Sequence, residues 1–201
     1  MSKHGAHRRV PYRREREKRT DYYYRRSLIR SGKPRFIARV SLNNVRAQVA
    51  TPGPDGDEIL ASAYSGELSN WGWKGHTSNT SAAYLVGLLC GFRAKESGVD
   101  ECIMDIDRFV VSPQARIFSV LKGGLDAGVE IPHDEDVLPS ESRVEGQHIS
   151  DYAQKLKSEE ETKYKSQFSK YLEKDLSPEE FPDHFKKVKQ AIMTQCGGND
   201  E

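Results

Sequence analysis

The spacing of apolar and polar positions changes period several times along the 201 residues, and each change marks an element. Over residues 21–31 the repeat is helical. Tyr24 and Leu28 fall on one stripe and Arg26 and Arg30 on another. Thr20 or Asp21 stands where a helix cap is wanted, Gly32 suits the exit, and Pro34 blocks continuation. The repeat then drops to two: Phe36, Ala38 and Val40 alternate with Arg35, Ile37 and Arg39. Asn43-Asn44 is a turn pair, 45–49 is strand-like again, PGPDGD at 52–57 is a longer turn, and 58–64 forms a third strand. Three strands joined by turns predict an antiparallel meander, with Arg35, Arg39 and Arg46 on one exposed basic face.

Helical period returns at NTSAAYLVGLLCGFRAKESGV (79–99). Asn79 or Thr80 caps this helix, Leu85, Leu88, Leu89 and Phe92 mark a broad buried face, and Gly98 ends it. Gly87 and Gly91, four apart, predict close packing of the helix on the sheet. ECIMDID (101–107) reads as a fourth strand, parallel to another if the helix is its crossover. Ser112-Pro113 breaks the chain before a second helix over 114–128, and a turn-rich connection follows. From 142 onward Lys, Glu, Gln and Tyr dominate. That pattern predicts two or three exposed helices with a stop at DLSPEEFP (175–182) and, with few branched aliphatics, no core of their own. The fold class is therefore α/β: a mixed sheet with a three-strand meander and packed helices. It divides into a basic extension and helix (1–33), an α/β core domain (34–140) and a charged helical C-terminal extension (141–201).

Charge changes the picture. Formal net charge is +1, yet residues 1–46 hold fifteen Lys or Arg against Glu15, Glu17 and Asp21, which leaves sixteen basic and 27 acidic residues for the remainder. A split of +12 against −11 points to a polyanionic partner at the basic end. Residues 142–201 sum to −2, so weak attraction to phosphate is expected there. Hydrophobic content of 36% is low, and part of the chain is expected to order against a partner. The longest apolar run, 82–92, falls short of the ~20 residues that span a bilayer, and the polar, basic opening does not resemble a secretory signal. Cys90, Cys102 and Cys196, odd in number and without metal spacing, read as reduced thiols of a cytoplasmic protein, two of them in the core.

Two constellations carry binding chemistry. In the basic segment, arginine forks suit phosphates, and Tyr22, Tyr23 and Tyr24 offer rings for unpaired bases. Three consecutive tyrosines cannot share a helix face, so at least one is expected to pack on the sheet. The second is NWGWKGHTSNTSAAY, where Trp71 and Trp73, then Lys74, His76, Thr77, Ser78 and Asn79, precede a helix start that can hold a phosphate. Candidate catalytic signals are thin. Asp105 and Asp107 share a strand face but lack a matching nucleophile or His cluster. PGPDGD lacks the spacing of a calcium loop, and KGGLDAG matches no nucleotide fingerprint. No catalytic set, cofactor or metal is expected. From the residues alone, RNA and DNA both remain open as partners.

RRxREKRTDYxxRRxLIRSGKPR, GPDGDEIL, GWKGHTSNTSAAYLVGLLCGFRA and GLDAGVEIPHDEDVLP occur in this order, and together they closely resemble the family of large-subunit ribosomal protein eighteen, archaeal and eukaryotic type. The likeness runs from about residue 7 to 138. PEEFPDHFKKVKQAI also resembles the C-terminal extension of the archaeal type, to which the length points. The resemblance implies a non-enzymatic protein of the cytoplasmic ribosome. It would bind 5S rRNA and attach it to the 23S-type rRNA in the central protuberance, beside neighbouring ribosomal proteins. RNA contacts would fall on Arg8, Arg9, Arg13, Arg14, Arg16 and Arg19, on Arg25 and Arg26, on Arg35, Arg39 and Arg46, and on the 74–79 loop. Tyr23 and Lys33 of the basic segment join them. A DNA-binding regulator and a phosphate-handling enzyme are the rival classes, separable by comparing 5S rRNA with duplex DNA at equal salt and by titration with ATP.

Overall fold

The computed structural model describes residues 10–197, so Arg8 and Arg9 lie outside the described residues. In chain order the elements are α1 (Arg13–Arg16), α2 (Tyr22–Arg30), β1 (Arg35–Val40), β2 (Val45–Pro52), β3 (Asp57–Tyr64), α3 (Thr80–Glu96), β4 (Ile103–Asp105), α4 (Arg116–Asp126), α5 (Glu141–Glu145), α6 (Gln147–Glu159), α7 (Glu161–Gln167), α8 (Ser169–Leu172) and α9 (Phe181–Cys196). The sheet order is β3-β2-β1-β4. The first three strands form the antiparallel meander, and β4 pairs parallel to β1 after the α3 crossover.

Period-two alternation sorts the strands' side chains. Phe36, Ala38, Val45, Ala47, Val49, Ala61 and Ala63 are buried on the face that meets α3. That helix is apolar almost all round, because it lies between the sheet on one side and α4, α5 and α9 on the other. Asn79 caps it by accepting a hydrogen bond from the Ala82 amide at 2.7 Å.

The glycines of α3 face α4, not the sheet. A Cβ at Gly87 would strike the Val120 carbonyl, and one at Gly91 would stand 2.5 Å from the Ala127 Cβ. Gly123 of α4 is equally confined, by the Tyr84 carbonyl and by the Leu88 amide at 2.6 Å. The expectation that they pack on the sheet missed this because small residues four apart signal a close partner without saying which one. The two helices approach backbone to backbone, and together they cover one face of the sheet.

The C-terminal segment also departs from expectation. Phe181, Phe185, Val188 and Ile192 form one stripe of α9 and enter the main core. Ala153, Leu156, Tyr164 and Phe168 form a small cluster of their own. Aromatic side chains at helical spacing supply the apolar area that branched aliphatics lack. A chain cut at Ser140 would therefore expose core and could not serve as a clean test of what this segment binds. Cys90 and Cys102 are buried free thiols, and burial pushes both up to about 12.

Gly123→Ala should cost about 3 kcal/mol, because the added methyl meets backbone that has no room to yield. The urea midpoint should fall with an unchanged slope. A midpoint equal to wild type would contradict the close approach of α3 and α4.

Candidate nucleic-acid interface

The face of the sheet opposite α3 carries the basic residues. β1 presents Arg35, Ile37 and Arg39, and register sets Arg39 beside Arg46 and Arg46 beside Tyr64. α2 packs near β4 at the edge of this face, where the Tyr24 hydroxyl donates to the Met104 carbonyl at 3.4 Å. Asp21 starts that helix. Its carboxylate accepts from the amides of Tyr23 and Tyr24, both at 3.0 Å, and its own amide donates to Asp107 Oδ1 at 3.2 Å.

Arg35 was expected on an exposed basic face, and this is corrected: it is 2% exposed. Its Nη1 donates to Asp105 Oδ2 at 2.7 Å, and Nη2 lies 2.6 Å from Asp57 Oδ1. Burial alone would lower its pKa, but hydrogen bonds and charge from Asp57 and Asp105 outweigh that and raise it. Asp57 also holds Arg25 at 2.8 Å, and Arg39 stands 3.6 Å from both Asp105 and Asp107. Asp105 at the end of β4 and Asp107 just beyond it thus anchor arginines, in keeping with polar residues at a strand end. Arg35 has no surface left to offer a ligand.

Above this floor opens a groove of about 510 Å³, lined by Arg14, Arg19, Tyr24, Arg25, Arg39, Arg108 and Phe109 among others. It adjoins a second hollow of about 420 Å³ where Arg46 lies over the Tyr64 ring, 5.6 Å from the centroid. Arg39 and Phe109 line both. Arg13 and Arg19 meet Glu17 at 2.8 and 3.2 Å, exposed pairs that contribute little and exchange readily for phosphate. Arg14 donates to Thr20 Oγ1 at 2.9 Å. Among the described residues Arg16, Arg26, Arg30 and Arg46 are exposed and have no carboxylate partner. Tyr23, 85% exposed, is the free ring of the three tyrosines; Tyr22 packs edge-on against Tyr12 at 5.3 Å.

Other expected contacts are placed elsewhere. Lys33 pairs with Glu101 at 2.6 Å, away from the groove lining. Trp73 is corrected as a stacking platform for RNA: it is 5% exposed, edge-on to Phe181 at 5.5 Å and stacked on His184 at 5.2 Å. The apolar stripe of α9, whose partner the sequence did not reveal, claims this ring. Thr77 spends its hydroxyl on the Asn43 carbonyl, and Asn79 spends its side-chain oxygen on the cap. Lys74 and His76 remain exposed.

The sequence reading missed Arg108, Phe109 and Arg116. Arg108 and Phe109 follow β4 in DIDRFVV, a basic-aromatic pair directly after a strand that could have flagged them. Arg116 Nη1 donates to Ser78 Oγ and to the Ser78 carbonyl, both at 2.6 Å, and reaches the Ser41 carbonyl at 3.4 Å. No spacing rule joins residues 41, 78 and 116.

Arg35→Met should destabilise the protein by about 3–5 kcal/mol, since it leaves the buried Asp105 carboxylate without its closest counter-ion. Adding Asp105→Asn should recover part of the loss, and urea unfolding of the four proteins of this cycle reads the coupling. Additive effects would argue against the buried pair. A second expectation concerns His184, whose Nε2 accepts from the Lys74 amide at 3.1 Å. Burial, then Lys74 and Lys187, hold it below its ordinary 6.5. The folded state therefore binds fewer protons than the unfolded one. The resulting stability is complete above about pH 6.5 and is lost as pH falls through the folded value. His184→Gln should flatten the decline in stability between about pH 7 and pH 5; an equally steep decline would remove His184 as its source.

Residues 7–98 match the family model of ribosomal large subunit proteins 60S L5 and 50S L18. The matched stretch contains the basic start, α2, the meander and all of α3, the parts that build the arginine-lined face. Over this stretch the chain is similar to the L18 family of large-subunit ribosomal proteins, and the match supports an L18-family ribosomal protein.

Proposed function

We propose that this ribosomal protein binds 5S rRNA through the arginine-lined face and the basic start, and helps attach it to the 23S-type rRNA of the central protuberance. Similarity to the family over residues 7–98 supports a component of the large subunit of the cytoplasmic ribosome, with rRNA and other ribosomal proteins as partners. The identity of the RNA, the central protuberance and the purely structural, non-catalytic role belong to this proposal. Its support is the groove that Arg14, Arg19, Arg25, Arg39 and Arg108 line over the sheet face opposite α3.

The chemistry follows from how the charges are arranged. Arginine offers a planar, permanently charged fork that meets phosphate with two parallel hydrogen bonds. Phosphate contacts orient the protein on the RNA, and the exposed ring of Tyr23 selects unpaired bases by stacking. Asp57 keeps Arg25, and the buried Asp105 with Asp107 keeps Arg39, at fixed positions, so less side-chain entropy is lost when RNA arrives. Arg16, Arg26 and Arg30 lie on exposed turns of α1 and α2 and extend the positive surface past the groove.

Replacing Arg13, Arg14, Arg16 and Arg19 with Gln tests the reading. Each phosphate contact contributes roughly 0.7–0.9 to the slope of log affinity against log salt, so the slope should flatten by about 3 and affinity should fall. Gln is close to Arg in helix propensity, and circular dichroism should be unchanged. Binding isotherms with 5S rRNA at several salt concentrations decide the matter. A folded variant with the wild-type slope would remove the basic start from the interface.

A further inference from the structure

The C-terminal segment is net negative, yet its charges are sorted. Across the 74–79 loop from α8 lies a cleft of about 700 Å³, lined by Lys74 and His76 on one side and Lys170 and Lys174 on the other. Among the described residues, Glu173 is the one acid in its lining. Among the described residues, no carboxylate lies within ion-pair distance of Lys74, Lys170 or Lys174. Lys74 Nζ reaches only the Asp175 carbonyl, at 3.5 Å. The cations feel one another: burial first, then Lys170, Arg116 and Lys174, hold His76 below its ordinary value. Crowding of like charges around an open cavity is unfavourable unless an anion joins them. Ser78, Ser166, Gln167 and Ser169 supply neutral hydrogen-bonding groups in the same walls.

The cleft is linked to the groove. Thr77 donates to the Asn43 carbonyl, and Ser78 Oγ donates to the Ser41 carbonyl at 2.6 Å. Ser41 and Asn44 line the hollow that holds Arg39 and Arg46. The turn between β1 and β2 therefore borders both places, and Arg116 braces that turn against the loop.

We propose that the cleft between the 74–79 loop and α8 is a second phosphate-binding site, in which Lys74, Lys170 and Lys174 hold the backbone of an rRNA strand that runs past the β1–β2 turn. This rests on the reading that the protein binds rRNA, and it assigns the C-terminal segment a direct part in that binding. RNA is the occupant because the β1–β2 turn, which Ser78 of the cleft wall holds by hydrogen bond, leads from the cleft to the hollow of Arg39 and Arg46, and because the cleft offers several separated cations to a repeating anion. An acidic loop of a neighbouring protein is the competing occupant that the test must exclude.

The test uses the full-length chain with Lys170→Gln and Lys174→Gln together, Lys74→Gln separately, and the four-arginine variant alongside. All three lysines are exposed, so folding should be unaffected. Isotherms are recorded against 5S rRNA and against the large-subunit rRNA. Removing two phosphate contacts should lower affinity roughly tenfold near 0.1 M salt and flatten the slope by about 1.4–1.8, for whichever RNA lies in the cleft. Lys74→Gln should give about half that flattening. Cross-linking from Lys170 and Lys174 in assembled ribosomes should capture RNA. Wild-type affinity and slope with both RNAs, while the four-arginine variant still loses binding, would overturn the cleft and leave the proposed function standing. Wild-type behaviour of all three variants would overturn both. Cross-links to acidic protein side chains in place of RNA would overturn the assignment of the occupant.

Discussion

The buried guanidinium of Arg35 is the constraint around which the basic face is organised. It sits between Asp105 on β4 and Asp57 at the start of β3, at 2.7 and 2.6 Å. The same two carboxylates reach outward, Asp57 to Arg25 of α2 and Asp105 to Arg39 of β1. One buried cation thus ties both edge strands to the strand and the helix that line the groove. A buried ion pair of this kind is costly to desolvate and gives little net stability against an apolar alternative. Its effect here is positional: it holds the outer arginines in place above a sheet whose other side is entirely apolar.

That apolar side imposes the second condition. α3 can lie flat on alanines and valines of the meander only if its outer surface is covered as well. Gly87, Gly91 and Gly123 let α4 close to backbone contact, and the aromatic stripe of α9 closes the remaining side. These helices pack on one face, and among the described residues the other face is bordered by α2 and by the segment of Arg14, Arg19 and Thr20. The division between a helix-covered face and a phosphate-facing one follows from the side-chain alternation of three short strands.

The arginines fall into two kinds. Arg25, Arg35 and Arg39 face carboxylates, which fixes where they stand. Arg16, Arg26, Arg30 and Arg46 face solvent without such partners among the described residues. The first kind gives the surface its shape and the second leaves it uncompensated charge, which is what a polyanion responds to over a distance of about 10 Å in 0.1 M salt. Counting basic residues cannot separate them, because the carboxylates that pair with the first kind are far away in sequence. Asp57 is 22 residues from Arg35, and Asp105 is 70.

Local rules were enough for much of this protein. The caps, narrowed to Thr20 or Asp21 and to Asn79 or Thr80, the exit at Gly32, the meander and the parallel fourth strand after its helical crossover were legible, because each depends on neighbours within a few residues or on a simple period. The charge split and the ordered motif blocks likewise pointed to the ribosomal family that the 7–98 match supports. What the sequence could not show was which side chains would be consumed by the fold. Arg35 and Trp73 look like ligands for phosphate and base when read alone; Asp105 and the α9 ring and imidazole take them out of solvent. Arg108, Phe109 and Arg116 looked incidental, and packing brings them to the groove and the turn beside it. Periodicity tells a residue which face of its own element it occupies. Only tertiary packing decides which element faces it across the gap, and burial by that partner determines whether a charge or a ring remains free to bind.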